Sequence, residues 1–505
     1  MSKRNLSGLR LGWLAAAALL VALPSIALEL TADMTTDEPL LAPPATRHSV
    51  RVDGRELRYE ASFVEMPLVD DEGKTQATIS ATCYVLLGKH DVARRPVLFA
   101  FNGGPGASSS PLHFGAFGPR RWSHDSGEAR RIVPNEHSLI DVADIVFIDP
   151  VGTGFSRVRP DGDASRYWNP QGDAQAVVTF IRTWLNQRGR TQSPVFIAGE
   201  SYGGFRLAMS APHLKDLEIA GLIFISPLLD ASASASAPGN ELPYIFELPT
   251  LAAGAWYHNR IDRAGRTVDQ HFETAAKFAQ TEYAAALLQG NTLPPAERKR
   301  IAQRMSELIG LPAATIEAAN LRIDSEQFLN TLLADENKIV GRLDMRVTAP
   351  KPMQRDASRP AGADDPALGL RGSNVIKSEP IKKYFSEQLG VDTERDYLSL
   401  TLDVNFRWDW RGPAWPPQYY VNPTVNVTKL LEEKPQARVL LLGGYYDLAV
   451  PVLAPRYAFA HSGIAPERVQ ITSFVAGHSP FDGEENLPRF NDVVRKFVLA
   501  HTPSR

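Results

Sequence analysis

The sequence predicts an α/β chain with a mainly parallel central sheet and a largely helical cap insertion. Three observations carry that prediction. Short apolar runs at 96–101, 144–148, 194–198 and 221–225 have the length and composition of strands buried on both faces. Between two of them, residues 172–188 place Ala176, Val177, Phe180, Ile181 and Trp184 at helical spacing, the rhythm of a βαβ unit. Strand-like runs then stop, resuming only at 437–442 and 468–475, beyond a long stretch of helix-forming sequence.

Taken in order, residues 1–27 have the anatomy of a signal peptide. Lys3, Arg4 and Arg10 flank an apolar run at 11–22, and Pro24 precedes the small-x-small site Ser25-Ile-Ala27. Export to the periplasm or the medium is expected, with a mature chain starting at Leu28 and no stable membrane span. A retained anchor is the alternative, for which the run is short. Residues 28–47, rich in Pro, Thr and acidic groups, read as a flexible leader. The first part of the core is expected over 48–235, opening with an antiparallel pair at 56–66 and 75–87. Helix-like stretches at 267–288, 295–309, 313–319 and 324–334 and a Pro, Gly and Asp-rich tract at 349–373 form the expected cap over 236–395. The core closes over 396–505, with a last helix at 486–500.

The balance of 54 basic and 57 acidic side chains leaves no polycationic footprint, which argues against nucleic acid as a partner. Cys83 is the only cysteine, so no disulfide forms within the chain, and its apolar run marks it as a small buried residue. Nothing in the pattern specifies an oligomeric state.

The run Val195-Phe-Ile-Ala-Gly-Glu-Ser-Tyr-Gly-Gly204 joins a buried strand to a helix through Gly-Glu-Ser-Tyr-Gly. Glycines on either side permit the cramped turn that lifts a serine oxygen above a sheet edge, so Ser201 is the candidate nucleophile. A surface Gly-Ser turn is the plainer reading of the pentapeptide alone. A nucleophilic serine needs a base and an acid that orients it. The two late strands end on such residues, in Leu442-Gly-Gly-Tyr-Tyr-Asp447 and Val475-Ala-Gly-His478. The order Ser201, Asp447, His478 is the chain order of α/β-hydrolase triads, although Asp447 also suits a turn or helix cap. Phe101-Asn-Gly-Gly-Pro-Gly106 follows an early strand where that fold carries an oxyanion loop, with the Tyr202 amide as the other donor.

With these segments together the chain resembles the serine carboxypeptidases of peptidase family S10. The matching stretches are Asn102-Gly-Gly-Pro-Gly106, Phe147-Ile-Asp-Pro-Val-Gly-Thr-Gly-Phe-Ser156, Gly199-Glu-Ser-Tyr-Gly203, Gly443-Gly-Tyr-Tyr-Asp447 and Gly477-His478. Gly118-Pro-Arg-Arg121 and Gly341-Arg-Leu-Asp344 look like the bacterial branch of that family. The resemblance implies that Asn102, the Gly103 amide and Glu200 hold the terminal carboxylate of a peptide. It also implies an oxyanion hole of the Gly104 and Tyr202 amides, and a reaction needing neither metal nor organic cofactor. Two positions depart from the family pattern: Ala116 stands where many members carry a second glutamate, and Ser479 follows the histidine where methionine is common. The first departure makes Arg120 or Arg121 an alternative partner for the carboxylate. The function expected is an exported serine carboxypeptidase. An esterase or acyltransferase on the same scaffold, or a noncatalytic peptide-binding protein, is the alternative.

Overall fold

The computed structural model describes residues 32–123, 130–233, 237–352, 361–370, 372–411 and 422–502. The proposed signal peptide and residues 28–31 lie outside them, as do 353–360 and 371 of the 349–373 tract. Nine strands form the central sheet: β1 (Thr46–Val52), β2 (Arg55–Val69), β3 (Thr75–Leu86), β4 (Val97–Phe101), β5 (Asp144–Asp149), β6 (Val195–Glu200), β7 (Ile219–Ile225), β8 (Arg438–Gly444) and β9 (Val469–Phe474). Their order is β1-β2-β3-β5-β4-β6-β7-β8-β9. The first three are antiparallel to their neighbours, and every pair from β5 to β9 is parallel.

Alternation within the buried strands explains why both faces are covered. In β4, Val97, Phe99 and Phe101 enter one apolar cluster while Leu98 and Ala100 enter the other, and β8 splits Val439 and Leu441 from Leu440 and Leu442 in the same way. Helix α1 (Pro170–Gln187) covers the first face. Asn169 caps it by accepting from the Gln171 and Gly172 amides, Pro170 takes the first helical position, and Trp184 meets Phe99 edge to face. Helix α2 (Tyr202–Ser210) follows the serine turn on that face, and the last helix, Asn486–His501, covers the opposite one.

The insertion enters at the end of β7. Helices α3 (Leu242–Tyr257), α4 (Val268–Phe278) and α5 (Pro295–Ile309) share an apolar cluster with Tyr445, Tyr446, Leu448 and Val452, so the cap's core reaches the loop after β8. Helix α6 (Glu379–Leu389) does something else. Its Ile381, Phe385 and Leu389 pack with Phe63 and Phe155 of the main body, and Arg395 pairs with the buried Glu65 of β2 at 2.8 Å. The cap expected over 236–395 is therefore two parts, the second of which rejoins the core. Helices α7 (Thr424–Glu433) and α8 (Asn486–His501) complete the layers.

The leader also differs from expectation. From residue 33 on it is docked: Met34 is buried, the Thr36 amide donates to the Val158 carbonyl at 3.0 Å, and the Leu41 amide to Glu65 Oε2 at 2.8 Å. Residues 46 and 47 already belong to β1. Among the described residues no helix is long and apolar enough to cross a membrane.

Candidate active site

All candidate residues fall at the carboxyl ends of the parallel strands, where this architecture places ligands. Ser201 stands between β6 and α2 with φ 61° and ψ −127°, a conformation costly for a residue with a side chain. Hydrogen bonds hold it there. Its amide donates to the Ile225 carbonyl at 2.9 Å, and its carbonyl accepts from the Gly204 and Leu228 amides at 2.9 and 3.1 Å.

Asp447 and His478 end the loops after β8 and β9. Asp447 is fully buried, and its Oδ1 accepts from the Ala449 and Val450 amides at 2.9 and 3.0 Å. That leaves Oδ2 for His478 Nδ1, at 2.7 Å. Burial of the ring alone would lower the His478 pKa, but Asp447's charge and hydrogen bond, aided by Glu200, carry it above its usual value. With Nδ1 committed to Asp447, Nε2 is the atom available to a serine hydroxyl.

Glu200 ties the histidine loop to the serine turn. Its Oε1 accepts from Ser479 Oγ at 2.7 Å and its Oε2 from Asn102 Nδ2 at 2.5 Å. Those bonds link the residue before Ser201, the residue after His478 and the loop 102–106. Burial pushes the Glu200 pKa up to about 7, helped by the charge of Asp482 and opposed by His478, Ser479 and Asn102. Ser479, which departs from the family pattern, thus has a specific partner.

The loop 102–106 approaches the serine turn closely because Gly103 lacks a side chain. A Cβ there would lie 2.4 Å from the Tyr202 nitrogen and 2.6 Å from that of Gly203. Asn102 is fixed from both sides: its Oδ1 accepts from the Leu112 amide at 3.2 Å, and its carbonyl accepts from Arg206 Nη1. Arg206 is itself buried, pairs with Asp173 at 2.7 Å and lies over the Phe101 and Tyr202 rings, while the Tyr202 hydroxyl donates to the same carboxylate at 3.1 Å. Behind the far end of the loop, Asp149 Oδ1 accepts from both the amide and the hydroxyl of Ser109, at 2.8 and 2.7 Å. Burial raises the Asp149 pKa to about 6.

Three findings go beyond the sequence reading. Ala116 is buried in the apolar cluster of α6 and α8, and the acid whose charge acts on Glu200 is Asp482, from the histidine turn. Asp482 is exposed, yet desolvation by the protein packed around it raises its pKa to about 6. Arg120 and Arg121 are engaged elsewhere: Arg120's charge acts on Tyr59 and His48, and Arg121 lies 3.5 Å from Glu136 and donates to the Trp122 carbonyl at 3.1 Å. Finally, the segment 341–346 of the insertion lies against both triad loops. A Cβ on Gly477 would fall 2.5 Å from Asp344 Cβ, and the His478 amide donates to the Leu343 carbonyl at 2.7 Å.

The largely parallel nine-stranded sheet, with helices on both faces, defines an α/β-hydrolase fold. The solved structure of Kex1(Δ)p, a prohormone-processing carboxypeptidase from Saccharomyces cerevisiae, superposes with a TM-score of 0.53 over 88% of this chain and 91% of that one. At 14% identity this likeness concerns the fold. In sequence, residues 81–218 match the serine carboxypeptidase family model, a span that covers the loop 102–106, Asp149 and the serine turn. Over 130 residues the chain is 34% identical to the pheromone-processing carboxypeptidase KEX1 of Pyricularia oryzae, covering 25% of this chain and 19% of that protein. Serine carboxypeptidase-like 21 of Arabidopsis thaliana is 31% identical over 123 residues, 24% of each chain. The chain thus spans about a quarter or less of the length of these relatives. The resemblance to the serine carboxypeptidases holds for that segment; Asp447 and His478 lie outside it.

Proposed function

We propose that this protein is an exported serine carboxypeptidase that removes C-terminal residues from peptides through an acyl-enzyme. Ser201 Oγ attacks the last peptide carbonyl while His478 Nε2 takes its proton, and Asp447 holds the imidazole in the required tautomer. The amides of Gly104 and Tyr202 receive the developing oxyanion. His478 returns the proton to the leaving amine, and water then releases the shortened peptide by the reverse sequence. Asn102, the Gly103 amide and Glu200 receive the terminal carboxylate. A buried acid with a pKa near 7 can donate a hydrogen bond to that anion, which an ordinary glutamate at neutral pH cannot.

The observation that carries this reading is the coupling of the buried Asp447–His478 pair, at 2.7 Å, to the Ser201 turn through Ser479 and Glu200, also at 2.7 Å. It supports assigning a base, its orienting acid and a carboxylate receptor to one strained serine. Mass spectrometry of a peptide library after digestion tests it: single residues should leave from the C-terminus, and a fluorophosphonate should label Ser201. Internal cleavage, or hydrolysis confined to esters without a free carboxylate, would refute the carboxypeptidase assignment. Export is tested by the N-terminal sequence of the native protein, expected to start at Leu28; a start at Met1 would refute processing.

A further inference from the structure

Residues 341–346 are stitched to both loops of the triad. The Leu448 amide donates to the Arg342 carbonyl at 2.9 Å, the Met345 amide to the Tyr446 carbonyl at 3.1 Å, and the His478 amide to the Leu343 carbonyl at 2.7 Å. Asp365 closes the turn from behind, its carboxylate accepting from the amides of Arg342, Leu343 and Ala367 at 3.1, 2.8 and 2.9 Å. The Arg342 backbone is therefore one hydrogen bond from the acid loop and one residue from the histidine loop.

Its half-buried guanidinium makes no ion pair or hydrogen bond among the described residues. The neighbouring acids are otherwise engaged. Asp344 binds Arg346 through both oxygens, Asp365 serves three amides, and burial holds the Glu247 pKa up to about 7. Of the other arginines drawn into the protein, Arg95, Arg190, Arg206 and Arg395 have carboxylate partners, and Arg157 donates to the carbonyls of Gly154, Ser156 and Asp396. The charge of Arg342 still reaches the site, where it pulls down the pKa of His478. A guanidinium that has lost part of its hydration without gaining an anion among the described residues is poised to bind one, and its planar fork suits a carboxylate.

We propose that Arg342 forms a subsite for a side-chain carboxylate of the peptide, so that aspartate or glutamate is preferred beside the scissile bond. The proposal rests on the carboxypeptidase reading above, which assigns the terminal carboxylate to Asn102, Gly103 and Glu200. The test uses N-blocked peptides in matched pairs, Glu against Gln and Asp against Asn, at the last and penultimate positions. Each is made as free acid and as C-terminal amide, and assayed with the full-length protein and with Arg342→Gln and Arg342→Lys. At one position kcat/KM should favour the acid by about tenfold to a hundredfold, the worth of one charge-assisted hydrogen bond. Arg342→Gln should bring that ratio near one, and Arg342→Lys should restore part of it. In the unsubstituted protein the ratio should also shrink as salt is raised, a readout that needs no variant to fold. Residue release with equal kcat/KM for both members of every pair overturns the subsite and leaves the carboxypeptidase reading standing. The subsite is equally overturned if Arg342→Gln abolishes discrimination of free acid from amide while leaving the Glu-to-Gln ratio intact, for the guanidinium then binds the terminal carboxylate. If no peptide loses a residue, the carboxypeptidase reading fails and the subsite with it.

Discussion

At the scale of single residues the site is organised by which oxygen or nitrogen is already taken. Asp447 Oδ1 is held by two amides, so Oδ2 has one task, and His478 Nδ1 is thereby fixed as its donor. Ser201→Ala should lower kcat by roughly 10⁵- to 10⁶-fold, His478→Ala nearly as much, and the double variant no further, because the pair acts as a unit. A double variant much slower than either single one, measured by peptide release, would break that model. Glu200 gives a pH test. Its raised pKa keeps the acid neutral below about 7, so KM for free-acid peptides should rise as pH passes that value and the group ionises. Glu200→Gln remains a donor throughout and should flatten the rise, and amide-capped peptides should be indifferent. Ser479→Ala removes a hydrogen bond that stabilises the ionised form, so the rise should move to higher pH. A KM profile unchanged by either substitution would remove Glu200 from carboxylate recognition.

Elements differ in how much of them the sequence announces. The strands β4 to β7 were legible because a strand buried on both faces is a short unbroken apolar run, and α1 because its one apolar stripe covers a sheet. Helix α3 was not. It is buried over most of its surface, contains Pro249 and has little periodic contrast. Helix α6 left readable signals that went unused, a proline at its start and Gly390 in the left-handed conformation at its end. The leader was misread because what docks it, Glu65 and the Val158 backbone, lies far along the chain. That Ser201, Asp447 and His478 follow strand ends was legible in the sequence, whereas the proximity of Asp482 and Arg342 to them arises only through contacts that folding creates. The oxyanion loop yields a prediction at this scale. A methyl at Gly103 would collide with the Tyr202 amide, so Gly103→Ala must push the loop off the serine turn. Loss of one oxyanion donor costs about 10²- to 10³-fold in kcat, and fluorophosphonate labelling of Ser201 should slow in parallel. Labelling at the original rate would show that the loop does not form the hole.

For the whole molecule, the notable feature is how many acids are buried without a full counter-charge. Glu200 in the site, Asp149 behind the oxyanion loop and Glu247 in the cap all have pKa values raised by desolvation, to about 7, 6 and 7. An acid whose pKa is higher folded than unfolded binds more protons in the native state across the interval between the two values. Its contribution to stability is therefore full below the unfolded pKa and is lost as pH rises through the folded one. For Glu247 that window runs from 4.5 to about 7, worth up to about 3 kcal/mol. Arg342 opposes the rise and Asp324 reinforces it, but burial on α3 is the larger cause. Glu247 is not among the residues proposed to touch the substrate, so its effect can be read as stability. In Glu247→Gln the side chain stays neutral at every pH. The variant should match the parent near pH 4.5, where both are uncharged, and exceed it by up to about 3 kcal/mol at pH 8, as read from urea midpoints at constant m. A difference that did not change between those two pH values would show that Glu247 is ionised in the folded protein throughout. Its carboxylate would then be a standing partner for Arg342, and the guanidinium would be closed to an acidic side chain of a substrate.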